Sequence, residues 1–281
     1  MKIAENRLIA YLDVLGFSNL LATENLVDVH AKYSSFIDQA KTMTFYQTVG
    51  DNTGRTNFEF AQFWSDSIVV VSNDVTDVYN VNSFIAAVHF LLEIGFTSNL
   101  PLRGAIGQAD FLIDEERDIF LSKRLPELVR LEACQEWTGC VILESCEQTI
   151  LESLFGKCTK EDFSRNQLRN NQIHLYEIPL KSGSRKMFAI NFLFFLSLEQ
   201  IKKGIDHLIE PKKKNMERYL DFLINIPIEI QRLTEEFLPA TEVKIMKTRS
   251  GIRATFLDKD GNICKPGIDK FQWVAVGKWR E

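Results

Sequence analysis

Several things this 281-residue chain lacks narrow what it can be. It has no CxxC pair among its five cysteines, Cys134, Cys140, Cys146, Cys158 and Cys264. An odd number of unpaired thiols fits a reducing compartment and argues against structural zinc or a disulfide framework. Its four histidines, His30, His89, His174 and His207, are scattered, and no HExxH occurs. A histidine metal centre and a Ser-His-Asp triad therefore have little support. Basic excess is absent too: 33 Lys and Arg stand against 38 Asp and Glu, a net charge of -5. That disfavours a general nucleic-acid binder, while leaving room for a nucleotide brought in with metal ions. The opening MKIAENRLIAYLD has charges inside its apolar stretch and no signal-peptide core. The most apolar segment, Met187 to Leu198, is shorter than the about 20 residues that span a bilayer. These features predict a soluble cytoplasmic protein with no membrane partner. There is no internal repeat and no low-complexity tract.

What is present is an alternation of strand and helix signals. Arg7 to Asp13 predicts a buried strand, and apolar spacing predicts a helix over about Ser18 to Thr42. Gly50 to Thr56 is a polar loop. Asn57–Phe63 and Ser67–Val71 read as a hairpin joined at Trp64-Ser65-Asp66. A second helix is expected over Val75–Phe96, a strand over Pro101–Ile113, a helix over Pro126–Trp137 and a strand over Cys140–Leu143. This β-α-β-β-α-β order is ferredoxin-like and α+β. The texture changes near residue 160, so a core over 1–160 and an extension over 161–281 packing on it are expected. The extension reads as strands at Ile173–Ile178 and Met187–Phe192. A helix over Leu198–Phe237 follows, interrupted at Pro211 and Pro227. A hairpin over Val243–Ile263 turning at Asp260-Gly261, and a last helix with Phe271, Trp273 and Trp279, complete it. The lysine run after Glu210 reads as a solvated helix start.

Two carboxylates stand out by position. Asp13 ends the first strand, and Asp66 sits in the hairpin connection. Neighbouring strands lie about 4.8 Å apart, so both can meet at one sheet edge and share one or two Mg²⁺ or Mn²⁺ ions, as phosphoryl transfer requires. The competing reading is that each is a turn or cap residue. Gly16 lets the backbone approach a ligand, and Ser18 is either an N-cap or part of a phosphate-binding helix start. Arg103 lies on a strand before Gly104 and Gly107, which are expected to leave space for a ligand.

Together YLDVLGFSNLL, FWSDSIVVVS and LRGAIG resemble the bacterial pyrimidine nucleotide cyclases, class III-type enzymes of antiphage defence that make cyclic UMP or cyclic CMP. Leu131-Glu132 before the Cys140 strand and DKFQW at 269–273 are weaker matches. The resemblance implies a class III catalytic core with two bound Mn²⁺ or Mg²⁺ ions. Asp13 and Asp66 would be ligands, with Val14 lending its carbonyl. Gly16, Phe17 and Ser18 would line the triphosphate, and Arg103 would reach base or phosphate. Arg130 would be the transition-state arginine, but Pro126 stands where the asparagine four residues earlier is usual, and the glycine that usually opens this helix is missing. The resemblance further implies a homodimer with shared active sites and a downstream effector that recognises the cyclic product. A purine cyclase and a catalytically weak nucleotide sensor are the alternatives on the same fold.

Overall fold

The structure is a computed structural model. It describes residues 1–45, 56–155 and 172–225, together with two strands at 240–248 and 251–258. The chain divides into a unit over Met1–Leu223 and a second over Ile224–Glu281.

The first unit begins with β1 (Lys2–Val14), α1 (Phe17–Thr23) and α2 (Leu26–Thr44). The single helix expected over 18–42 is thus two. Glu24 takes an extended conformation, and the Asn25 side chain accepts from the Val27 amide at 2.8 Å, starting a fresh helix. The hairpin follows as β2 (Phe58–Trp64) and β3 (Ser67–Ser72), and then α3 (Val78–Thr97), capped by Asp77 accepting from the Tyr79 amide. By length and composition α3 alone among the described helices is apolar enough to cross a membrane. Its Val81, Phe84, Ile85, Val88 and Leu92 are instead buried in the core. Next come β4 (Leu102–Asp114), a short β5 (Ile119–Leu121), α4 (Leu125–Cys134), β6 (Gly139–Ile142) and α5 (Glu144–Phe155). Neither β5 nor α5 is signalled by the pattern alone. Strands β7 (Ile173–Leu180) and β8 (Gly183–Ile190) lead to α6 (Leu198–Asp206) and α7 (Lys212–Asn225), separated at Pro211 as expected.

The sheet order is β2-β3-β1-β4-β6-β8-β7, with β5 paired to β4. Strand β1 is antiparallel to both neighbours, and β4 runs parallel to β6. The stretch β2-β3-β1-β4 is the ferredoxin-like arrangement that the β-α-β-β-α-β order calls for. Strands β7 and β8, read from sequence as part of the extension, continue this same sheet. Leu8, Ala10, Leu12 and Val14 of β1 are buried to within 2% of full exclusion, whereas Arg7, Tyr11 and Asp13 on the alternate face are half-buried. That second face carries α4, which crosses β1 and β4.

In the second unit β9 (Ala240–Thr248) pairs antiparallel with β10 (Gly251–Asp258). The expected hairpin exists, but its strands meet between Thr248 and Gly251, ten residues before the Asp260-Gly261 expected from turn chemistry. The GDNTG loop, the Pro227 interruption and the last helix lie outside the described residues.

Candidate active site

The end of β1 is tied to two other segments. The Val14 amide donates to the Asp66 carbonyl at 2.9 Å, and the Leu15 amide donates to the Pro101 carbonyl at 2.8 Å. The hairpin turn and the entry to β4 are thereby fixed against the residue that follows Asp13. Trp64 and Ser67 pair across the two-residue turn, in which Ser65 is left-handed at φ 52°. A residue with a Cβ is strained there, a feature that clusters at functional sites. Register then places Asp13 between Ser67 of β3 and Arg103 of β4.

These contacts gather three carboxylates, of Asp13, Asp66 and Glu132, around one guanidinium, of Arg103. The Ser67 hydroxyl donates to Asp13 Oδ1 at 3.3 Å and lies 2.9 Å from Tyr11 Oη. Burial pushes the Asp13 carboxyl up from 3.8 to about 6, reinforced by the charges of Glu132 and Asp66 and opposed by Arg103. The Tyr11 phenol is raised first by burial and then by Asp13, Glu132 and Asp66, against the Ser67 hydrogen bond. On α2, Tyr33 is pushed up to about 12 by burial and by Asp66 and Asp13. Its Oη is buried and has no hydrogen-bond partner among the described residues. Glu132 is raised by burial despite Arg103 beside it.

The structure brings Asp13, Val14, Gly16, Phe17, Ser18, Asp66 and Arg103 to this end of the sheet. Gly16 takes φ +76°, and among the described residues no atom beyond its two chain neighbours lies within 4 Å of where a Cβ would stand. That space is open, but the left-handed backbone favours glycine. The Phe17 ring is buried and packs 5.4 Å from Tyr33, so the ring itself is not open to a ligand. Ser18 is exposed and is not the N-cap: it lies inside α1, whose N-cap is Gly16. Arg103 is 9% exposed; its Nε donates to Glu132 Oε1 and its Nη1 to the Gln135 carbonyl, both at 2.6 Å. The space expected beside its glycines is filled. A Cβ on Gly104 would stand 2.2 Å from the Tyr11 carbonyl oxygen, and one on Gly107 would stand 2.7 Å from Arg124. These glycines permit close packing of β1 and α4, and leave no ligand space.

Arg130 is not brought in. It is exposed on α4, two residues from the inward-facing Leu128 and Glu132, and therefore points away from its own sheet. Pro126 occupies the first turn of α4, where its missing N–H leaves no helical bond unmade.

Glu132, named from the sequence only within the weak Leu131-Glu132 match, carries no role there. Its signal is weak but real: it follows Leu128 at i+4 on an amphipathic helix, which puts a carboxylate on the buried face. Tyr11 and Ser67 carried no signal beyond strand alternation from Asp13.

A divalent ion suits this donor set. Among the described residues no group of three His, Cys, Asp or Glu side chains is close enough to hold a metal alone. Mg²⁺ and Mn²⁺ commonly take one or two carboxylates and complete their shell with water and substrate phosphates. Asp13 is raised first by burial and then by the Glu132 and Asp66 charges, and a bound cation would offset those charges.

No protein-family model matches the sequence, and no curated protein matches it. Solved structures give a distant likeness. One is the guanylate cyclase domain of RhGC from Catenaria anguillulae in complex with GTP, at 12% identity and TM-score 0.40, covering 68% of this chain and 98% of that one. Another is the adenylyl cyclase CyaB from P. aeruginosa, at 13% identity and TM-score 0.40, covering 68% and 96%. A third is the catalytic core of a rhodopsin-guanylyl cyclase with converted specificity in complex with ATPalphaS, at 11% identity and TM-score 0.42, covering 67% and 96%. The fold assignment rests on the strand order itself.

Proposed function

We propose that this chain is a nucleotide cyclase that closes a pyrimidine nucleoside triphosphate, UTP or CTP, into its 3′,5′-cyclic monophosphate with release of pyrophosphate. The observation that carries the reading is that the hairpin turn holding Asp66 is tied to the end of β1 at Val14, beside Asp13, whose carboxyl is raised to about 6. The motifs around Asp13, Asp66 and Arg103, which resemble the pyrimidine cyclases, support the base class and a role in antiphage signalling.

Asp13, Asp66 and the Val14 carbonyl would hold one or two Mn²⁺ or Mg²⁺ ions. When bound, such ions lower the pKa of a coordinated hydroxyl and offset charge on phosphate oxygens. The backbone amides of Gly16, Phe17 and Ser18 bind the triphosphate, and Gly16 keeps the approach open. The ribose 3′-oxygen attacks the α-phosphorus as its proton passes to water, and the bond from the α-phosphorus to the oxygen bridging to the β-phosphate breaks, releasing pyrophosphate. Holding the two reacting atoms in line converts binding into rate.

The outward direction of Arg130 suits a site completed by a second copy of the chain, whose Arg130 would meet the charge on the reacting phosphate. Trp64 and Val129 lie on the same face of the sheet and are 41% and 37% exposed, which suits burial between copies. The partners are then the triphosphate, a second copy, and an effector that reads the cyclic product. The free thiols of Cys134, Cys140 and Cys146 fit the cytoplasm. One observation favours a second reading, a weak sensor: Pro126 offers no side-chain donor one turn before Arg130.

Incubation with each of the four triphosphates and Mn²⁺, with product identified by mass, tests this. Cyclic UMP or cyclic CMP supports the proposal. Cyclic AMP or cyclic GMP assigns a purine cyclase, and tight binding without product assigns the sensor.

A further inference from the structure

Asp13 and Arg103 are direct partners across an antiparallel pair. Side chains so placed share a sheet face with Cβ atoms about 4.5–5.5 Å apart, and opposite charges there attract. An aspartate meant to bind a cation would by default be neutralised by its own neighbour. Instead Arg103 is turned along the sheet toward α4. Its Nε and Nη2 both meet Glu132 Oε1, and its Nη1 meets the Gln135 carbonyl.

Both acceptors are themselves fixed. Glu132 is 4% exposed on the buried side of α4. Gln135 is fully buried; its Nε2 donates to the Gly104 carbonyl at 2.9 Å, and its Oε1 accepts from Trp137 Nε1 at 2.8 Å. Three of the five guanidinium donor positions are thereby committed away from Asp13.

We propose that Glu132 and the Gln135 carbonyl sequester Arg103, keeping the Asp13 carboxylate free for a metal ion. This rests on the metal-site reading of Asp13 and adds a positioning role that acts through Arg103. At Asp13 the Glu132 charge outweighs that of Arg103, so the pair does not repel the incoming cation. Without the Glu132 charge, the guanidinium is free to turn to its cross-strand partner, the Asp13 carboxylate.

The test is Mn²⁺ binding without nucleotide, followed by electron paramagnetic resonance, on the full chain and two variants. Glu132→Gln keeps the side-chain shape but removes the charge. Its Mn²⁺ dissociation constant should rise by about ten- to a hundredfold, the range expected when a charge-assisted contact captures a ligand group. The double variant Arg103→Met with Glu132→Gln removes the competitor as well. It should bind Mn²⁺ within about threefold of the original chain, at roughly one decade per 1.4 kcal/mol. A double variant that is folded but binds as poorly as Glu132→Gln makes Glu132 merely structural and overturns the proposal. So does undiminished binding by Glu132→Gln. If the unaltered chain binds no Mn²⁺, the metal reading itself fails. The sequestration is then decided by a crystal structure of Glu132→Gln: Arg103 within hydrogen-bond reach of Asp13 upholds it, and Arg103 still turned to Gln135 alone refutes it.

Discussion

Replacing Asp13 with asparagine should stabilise the metal-free protein at neutral pH while ending its activity. The carboxyl is held near 6 against an ordinary 3.8, chiefly by burial and then by Glu132 and Asp66. Below about pH 4 the folded and unfolded chains both hold the proton, and the group makes no difference to stability. As pH rises toward 6 the unfolded chain releases its proton first, so the native state loses stability across that window. Above it the full penalty is present. The displacement corresponds to at most about 3 kcal/mol at 1.36 kcal/mol per pKa unit. Solvent at this half-buried carboxyl reduces it to about 1–2 kcal/mol. The substituted amide keeps an oxygen for the Ser67 hydroxyl and carries no charge. In EDTA at pH 8 the Tm of Asp13→Asn should therefore exceed that of the unaltered chain by about 2–6 °C, on the usual scale for domains of this size. At pH 4 the gain should vanish. Excess Mn²⁺ should reverse the order, because a ligand at a hundred times its Kd adds about 2.7 kcal/mol to the chain that binds it. Thermal unfolding by circular dichroism at the two pH values, with and without Mn²⁺, measures all of this. A lower Tm for Asp13→Asn in EDTA at pH 8 would refute the reasoning, because it would mean that the carboxylate anchors the fold through Arg103.

Ser65→Gly should raise stability by about 1 kcal/mol, since the left-handed turn position no longer strains a Cβ; chemical denaturation checks this, and a loss would show that the Ser65 side chain has a stabilising role. Gly104→Ala should destabilise by about 1–3 kcal/mol, because its Cβ would meet the Tyr11 carbonyl and Leu12; an unchanged denaturation midpoint would contradict the close packing. Arg130→Ala and Asp66→Asn should each be inactive alone, yet a mixture should recover about a quarter of normal turnover when random pairing leaves one intact site in half the dimers. No recovery in verified mixed dimers would remove Arg130 from the mechanism.

Much of the candidate site was legible because its signals are local. A strand ending in Asp13 before Leu15-Gly16, and a hairpin whose turn contains Asp66, are patterns that backbone geometry and alternation impose within a few residues. The strand and helix order required a ferredoxin-like neighbourhood for β1, and that is what places Asp13 beside the hairpin. The break at Asn25 was also local, but its capping signal was hidden inside a continuous apolar spacing. For the second-unit hairpin, Ser250-Gly251 and Asp260-Gly261 are both turn-forming dipeptides. Pairing of Ile252 with Lys247 and Ala254 with Ile245 puts Gly251 in β10 opposite Thr248 and rules out the second.

Residue chemistry and short-range periodicity thus determined which carboxylates meet at the end of β1. Tertiary structure alone decided what surrounds them. Arg103 and Glu132 are 29 residues apart, and they pair only because α4 crosses the open face of β1 and β4. Gly104 looked like room for a ligand until the packing of Tyr11 and Leu12 closed it. Arg130, on the same helix as Glu132, faces away from its own sheet because two residues on an α-helix turn about 200°. Burial, charge and direction depend on which distant segments pack together, and no local pattern carries that information.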